Sequence, residues 1–157
     1  MDGGPVGRNR KVGAKTVPDG AEQPRALQKV WPPMGYVLVF LGGGLGATLR
    51  HGINMVTPRF LGSGFPWSTF LINISGSLIM GLVAGWFAFR GDAPQHLRLF
   101  FTTGILGGYT TFSAFSLDTA LLYERGDVGL AAAYVLGSVA LSIAGLFAGF
   151  WIVRSLM

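Results

Sequence analysis

Gly104-Ile105-Leu106-Gly107-Gly108-Tyr109-Thr110-Thr111-Phe112-Ser113-Ala114-Phe115 decides how the rest of the chain reads. It lies inside an apolar segment running from Leu97 to Tyr123. A segment of that length exceeds the roughly 20 residues that carry a helix across a bilayer. Its centre nevertheless holds three glycines and two adjacent threonines. Glycine costs about 1 kcal/mol relative to alanine in a helix interior, and β-branched threonine is also unfavourable. The sequence therefore predicts a helix broken near its midpoint, close to Thr110. Unwound backbone is tolerated at membrane depth only where protein covers it or where it lines a polar cavity. A break at that depth points to a buried ion or pore site.

Moving outward, three further apolar spans frame this one: Gly35 to Val56, Trp67 to Phe89, and Val128 to Val153. The first is interrupted by Arg50 and His51, placed near its end where long side chains can snorkel. It also carries a small-residue face, with Gly42 and Gly46 spaced as GxxxG, which lets helices approach closely. The loops are expected over Thr57–Pro66, Arg90–His96 and Tyr123–Asp127. Spans one and two, and spans three and four, are candidates for packing as pairs. The expected class is an all-α membrane protein of four transmembrane helices over residues 34–157.

Residues 1–33 are different in kind, being polar, basic and rich in Gly and Pro. Such a segment cannot bury enough apolar surface to fold alone. It reads as a disordered, cytoplasmic-type tail, either simply solvated or touching anionic lipid. No small-residue cleavage site follows it. The tail holds six Lys/Arg against three Asp/Glu, so it supplies +3 of the net charge of +5. No basic stripe runs along a helix, and a nucleic-acid partner is excluded. The chain has no cysteine, which rules out disulfides and thiolate metal sites.

The spans divide the remaining arginines evenly. Arg90, Arg98 and Arg154 fall on one side, and Arg50, Arg59 and Arg125 on the other. Orientation follows the Lys/Arg asymmetry of short loops. A balanced core predicts insertion in both senses, which would permit an antiparallel dimer, although Arg25 and Lys29 bias the amino terminus towards the cytoplasm.

Polar groups inside the spans are few, so each is a candidate site residue. Asn73 can serve as an interhelical clasp or as a pore amide. Tyr134, Ser138 and Ser142 are spaced i, i+4, i+8, which lines three hydroxyls along one helix face. They read either as packing with back-bonding or as a polar track suited to a dehydrating anion. Phe112 and Phe115 share a face if the second half of span three is helical. Two phenylalanines ordinarily mean core. An aromatic ring also has a positive edge, which can face an anion without fixing it to a counter-charge. Asp118, one turn on, reads as an exposed acid near the far mouth. No carboxylate lies deep in spans one, two or four, so the alternative reading, a small proton-coupled multidrug exporter, lacks its coupling group. Neither a nucleophile set nor metal-ligand spacing is present, and enzyme activity is not expected.

Taken in order, these residues resemble the fluoride channel family, Fluc or CrcB. Gly42 to Arg50 is similar to its first-span GGxxGAxxR, Trp67 to Ser77 to its second-span Thr/Asn/Gly pattern, Gly104 to Phe115 to its GxxGGFTTFSTF, and Tyr134/Ser138/Ser142 to its fourth-span track. The resemblance implies an antiparallel, dual-topology homodimer in the cell inner membrane, with two fluoride pores and a structural sodium ion at the dimer centre. It implies that the Gly107 and Thr110 carbonyls hold the sodium. It also implies that Asn73, Phe112, Phe115, Tyr134, Ser138 and Ser142 line the pore, and that Arg50 faces the vestibule. The function implied is passive fluoride efflux, which protects the cell from fluoride entering as hydrogen fluoride. Three departures from the pattern stand out: Tyr109 for Phe, Ala114 for Thr and Asp118 for Glu.

Overall fold

The computed structural model describes residues 33–91 and 93–157. The basic tail expected over 1–33 lies outside the described residues apart from Pro33. Every regular element among the described residues is helical. We label them α1 (Pro33–Leu61), α2 (Trp67–Arg90), α3 (residues 95–109), α4 (Phe112–Glu124) and α5 (Val128–Leu156). α2 and α5 are long and apolar enough to cross a membrane.

α1 is longer than its apolar core predicts. It continues past Val56 and through Pro58 to Leu61, where Gly62 takes φ 75° and its N–H closes on the Pro58 carbonyl at 3.1 Å. Proline removes one helical donor but does not stop a helix whose next turn is otherwise satisfied. The loop to α2 is correspondingly short. Arg50 therefore sits well inside α1 rather than near its end.

The third span differs from expectation in where it yields. The glycines do not break it. Leu99–Leu106 is a π-helix, and Gly107–Tyr109 continues as α-helix, the three pieces from Gln95 onward forming α3. Helical geometry is lost only at Thr110 (φ −77°, ψ 159°) and Thr111 (φ −154°, ψ 120°), both extended. Extended backbone suits β-branched side chains. Thr111 then caps α4, its hydroxyl accepting from the Ala114 N–H at 3.2 Å. The turn from α4 to α5 lies where the sequence places it. Gly126 adopts φ 84°, and the Asp127 N–H reaches the Leu122 carbonyl at 3.0 Å, which satisfies the last carbonyls of α4.

Consecutive spans do not form the principal pairs. α1 packs mainly on α3, and α2 on α5. The glycines explain the choice. Gly42 and Gly46 of α1 meet Gly104 and the Ile105 and Tyr109 backbone of α3, while Gly81 of α2 meets Leu146 and Gly149 of α5. A Cβ at Gly46 would overlap the Ile105 carbonyl oxygen, and one at Gly81 would overlap that of Leu146. Helices associate in lipid through such close backbone approach. The larger side chains gather where α4 crosses α5: Phe115, Leu122, Ala131 and Tyr134 form a buried cluster flanked by Phe65, Phe70 and Val135.

Candidate functional site

The two extended residues between α3 and α4 are held by α2. Asn73 Nδ2 donates to the Thr111 carbonyl at 3.0 Å, and the Thr111 N–H donates to Asn73 Oδ1 at 2.9 Å. The pair of bonds fixes the orientation of the amide. The clasp expected as one reading of Asn73 is thus present, and its partner is the main chain of the break. Gly76, one turn further along α2, leaves room for the Thr110 methyl, which a Cβ at that position would strike.

This clasp has an electronic consequence. The Thr111 N–H is the natural i+4 donor to the Gly107 carbonyl, and it is turned to Asn73 instead. The Ala114 N–H would serve the Thr110 carbonyl and is turned to Thr111 Oγ1. Both carbonyls are left without helical donors. They are hard oxygen donors of the kind that suits an alkali or alkaline-earth cation. One chain supplies too few of them to enclose an ion. Among the described residues no group of three His, Cys, Asp or Glu side chains offers a metal site. Arg50 Nη1 of α1 also donates to the Thr110 carbonyl, at 3.4 Å.

Two grooves meet at the break. The first, about 330 Å³, is lined by Asn73, Ser77, Phe112, Phe115, Ser138 and Ser142, together with Thr110, Thr111 and apolar neighbours. It contains no charged side chain. The second, about 480 Å³, is lined by Arg50, His51, Asn54, Ser113, Ala114 and Leu117. Thr111 lines both.

Five of the six expected pore residues are therefore brought together. Ser138 is 4% exposed, and its Oγ has no protein partner. An unpartnered buried hydroxyl is unfavourable by about 1–3 kcal/mol, so its presence in a groove calls for a ligand or water to accept its bond. Phe112 is 78% exposed, its ring 5.5 Å from that of the buried Phe115 and tilted 45° to it.

Tyr134 stands one step away from this groove. It is fully buried, its ring 5.2 Å from that of Phe115 and 5.4 Å from that of Phe65, the latter edge-on. Its hydroxyl donates to Asp118 Oδ2 at 3.2 Å. Asp118 is half-buried in the middle of α4, not exposed at a helix end. It lines a separate cleft beside the α1–α2 loop. The Asp118–Tyr134 contact joins residues on different helices, and helical spacing alone carries no signal for it. The Asn73–Thr111 pairing is silent in sequence for the same reason.

A family model described as CrcB-like protein, Camphor Resistance (CrcB), matches residues 37–150, which include both grooves and the break. A protein of Rhodopseudomonas palustris strain BisB5, named fluoride-specific ion channel FluC, is 72% identical over 123 residues, covering 78% of this chain and 99% of its own length. One of Nitrobacter hamburgensis, named fluoride-specific ion channel FluC 2, is 67% identical over the same extent. The family match begins after the basic tail and covers most of the helical part of the chain. With its glycine-packed helices, clasped break and apolar membrane-compatible surface, the chain belongs to the CrcB family of membrane proteins.

Proposed function

We propose that the chain is a fluoride-selective channel of the cell inner membrane, with no enzymatic activity, that lets fluoride leave the cytoplasm down its gradient. The observation that carries this reading is the first groove. It gathers an amide, three serine hydroxyls and two phenylalanine rings, with a buried Ser138 oxygen lacking a partner and no fixed charge. Hydroxyl and amide donors can replace the hydration shell of a small anion, and ring edges add positive potential without trapping it. The names of its relatives point to the same ion. A proton-coupled exporter is not favoured, since the groove has no carboxylate.

The path enters from the Arg50 vestibule, passes Thr111, and continues beside Asn73, Phe112 and Phe115 to Ser138 and Ser142. An arginine at this depth belongs in a water-filled cavity. Tyr134 lies at the far end of the track, with its hydroxyl on Asp118. All four spans cross the bilayer, with α3 and α4 acting as one broken span. Gly107, at the edge of the break, is exposed on one side of the chain. Lipid cannot satisfy free carbonyls. A second, antiparallel copy would cover that side and bring its own Gly107 and Thr110 carbonyls to the two-fold axis. Sodium bound there would supply a fixed positive charge beside both paths.

Two expected results follow. Ser138→Ala removes the unpartnered oxygen, so thermal unfolding in detergent should be unchanged or slightly later, while fluoride efflux from liposomes falls about tenfold. Phe112→Ile acts on an exposed side chain, so its effect on unfolding should stay within about 0.5 kcal/mol while efflux falls; normal efflux would remove Phe112 from the path. The function itself is tested by expressing the chain in a fluoride-hypersensitive bacterial strain. Restored growth in fluoride supports the channel, and failure of a membrane-inserted chain to restore it rejects the proposal.

A further inference from the structure

We propose that Ser75 and Tyr109 form a positioning pair that locks the break and sets the direction of the two carbonyls that lack helical donors. The proposal rests on reading those carbonyls as a cation site. Tyr109 is the last helical residue before the extended pair, and its hydroxyl lies 2.9 Å from Ser75 Oγ. Ser75 Oγ also lies 2.7 Å from the Leu71 carbonyl, to which it donates its only proton. The Tyr109 hydroxyl must then be the donor to Ser75. The ring is fixed along its length as well: a Cβ on Gly76 would stand 3.1 Å and 3.4 Å from two of its carbons.

α2 thus grips three successive residues by three devices. Ser75 holds Tyr109 at its tip, Gly76 receives the Thr110 methyl, and Asn73 binds the Thr111 main chain. On the α3 side, the Thr110 N–H and hydroxyl both reach the Leu106 carbonyl, at 3.0 Å and 2.9 Å. The direction of the Thr110 carbonyl is therefore set by what holds Tyr109 and Thr111, together with Arg50 Nη1, which donates to it at 3.4 Å. Neither Ser75 nor Tyr109 lines a groove, so neither touches the permeating ion. Phenylalanine at 109 would fill the same space without the tether. The tyrosine hydroxyl has its partner in Ser75.

The test uses full-length protein in lipid nanodiscs, with hydrogen exchange followed at residues 107–115 in sodium and in N-methylglucamine buffers. Tyr109→Phe and Ser75→Ala should each speed exchange at Thr110–Phe112 about fivefold, the worth of one neutral hydrogen bond. Each should raise the sodium concentration giving half-maximal protection by about the same factor. Exchange in α5 and the unfolding temperature should stay near wild type, which a general loss of stability would not allow. The double variant should be no worse than either single one, and Ser75→Thr, which keeps the hydroxyl, should behave as wild type. Wild-type exchange in both single variants, or additive effects in the double variant, would overturn the pairing. Wild-type protein with no sodium-dependent protection would contradict the cation site instead, and exchange at Thr110–Phe112 in sodium-free buffer would still decide the clasp.

Discussion

Asn73→Asp is expected to reduce fluoride efflux by at least about 100-fold, equivalent to about 2.8 kcal/mol on the barrier at 1.4 kcal/mol per tenfold. Two effects add. The carboxylate keeps an acceptor for the Thr111 N–H but loses the N–H that Asn73 gives to the Thr111 carbonyl. In its place a charged oxygen faces a carbonyl oxygen at hydrogen-bond distance, in a half-buried site. The negative charge also stands in a groove that otherwise carries none, on the path proposed for the anion. Anions feel such a charge strongly because the surroundings are poorly screening. Efflux assays on reconstituted protein check this against Asn73→Gln, which keeps both hydrogen-bonding types and has no charge. The glutamine variant should retain more flux than the aspartate. Equal flux in the two would show that charge at this position is immaterial.

Gly46→Ala is expected to have the largest effect on folding, a loss of about 3 kcal/mol or failure to accumulate. The new methyl would overlap the Ile105 carbonyl oxygen and stand 2.7 Å from the Tyr109 nitrogen. Both are backbone atoms in the last turns before the break, so neither can rotate away as a side chain would. Overpacking a well-filled interior usually costs about 1–3 kcal/mol, and rigid partners put this case at the upper end. The same substitution at Gly44, which meets nothing within 4 Å, should be neutral or slightly stabilising because alanine is the better helix former. Thermal unfolding of the two variants side by side measures the difference.

Much of the helix content is legible in composition and periodicity, since long apolar segments bounded by Gly, Pro and charge leave few alternatives. The location of the break is legible to within a few residues, because Gly107, Gly108, Thr110 and Thr111 all weaken a helix. Which of them yields is decided by packing. Gly104 and Gly108 stay helical because they sit against the backbone of α1, whereas Thr110 and Thr111 are drawn to α2 by Asn73. The pairing of α1 with α3 and α2 with α5 depends on matching small-residue faces across the fold. Gly42 and Gly46 announce one such face without naming its partner. Five of the pore candidates converge because helical spacing places Ser138 with Ser142 and Phe112 with Phe115. Tyr134 is on the same spacing, yet its longer side chain carries the hydroxyl out of the groove to Asp118. A rule based on Cβ positions does not see that reach. The extent of α1 is hidden for a related reason: it continues to Leu61 through Pro58, a residue that ordinarily marks a helix end.

The measurement that bears most directly on the central claim is ion efflux from liposomes carrying the purified chain, loaded with potassium fluoride and triggered by valinomycin. Rapid fluoride release, with chloride-loaded vesicles remaining tight under the same driving force, is the result predicted here. Vesicles that contain the folded protein and hold their fluoride, or that release chloride equally fast, would contradict it.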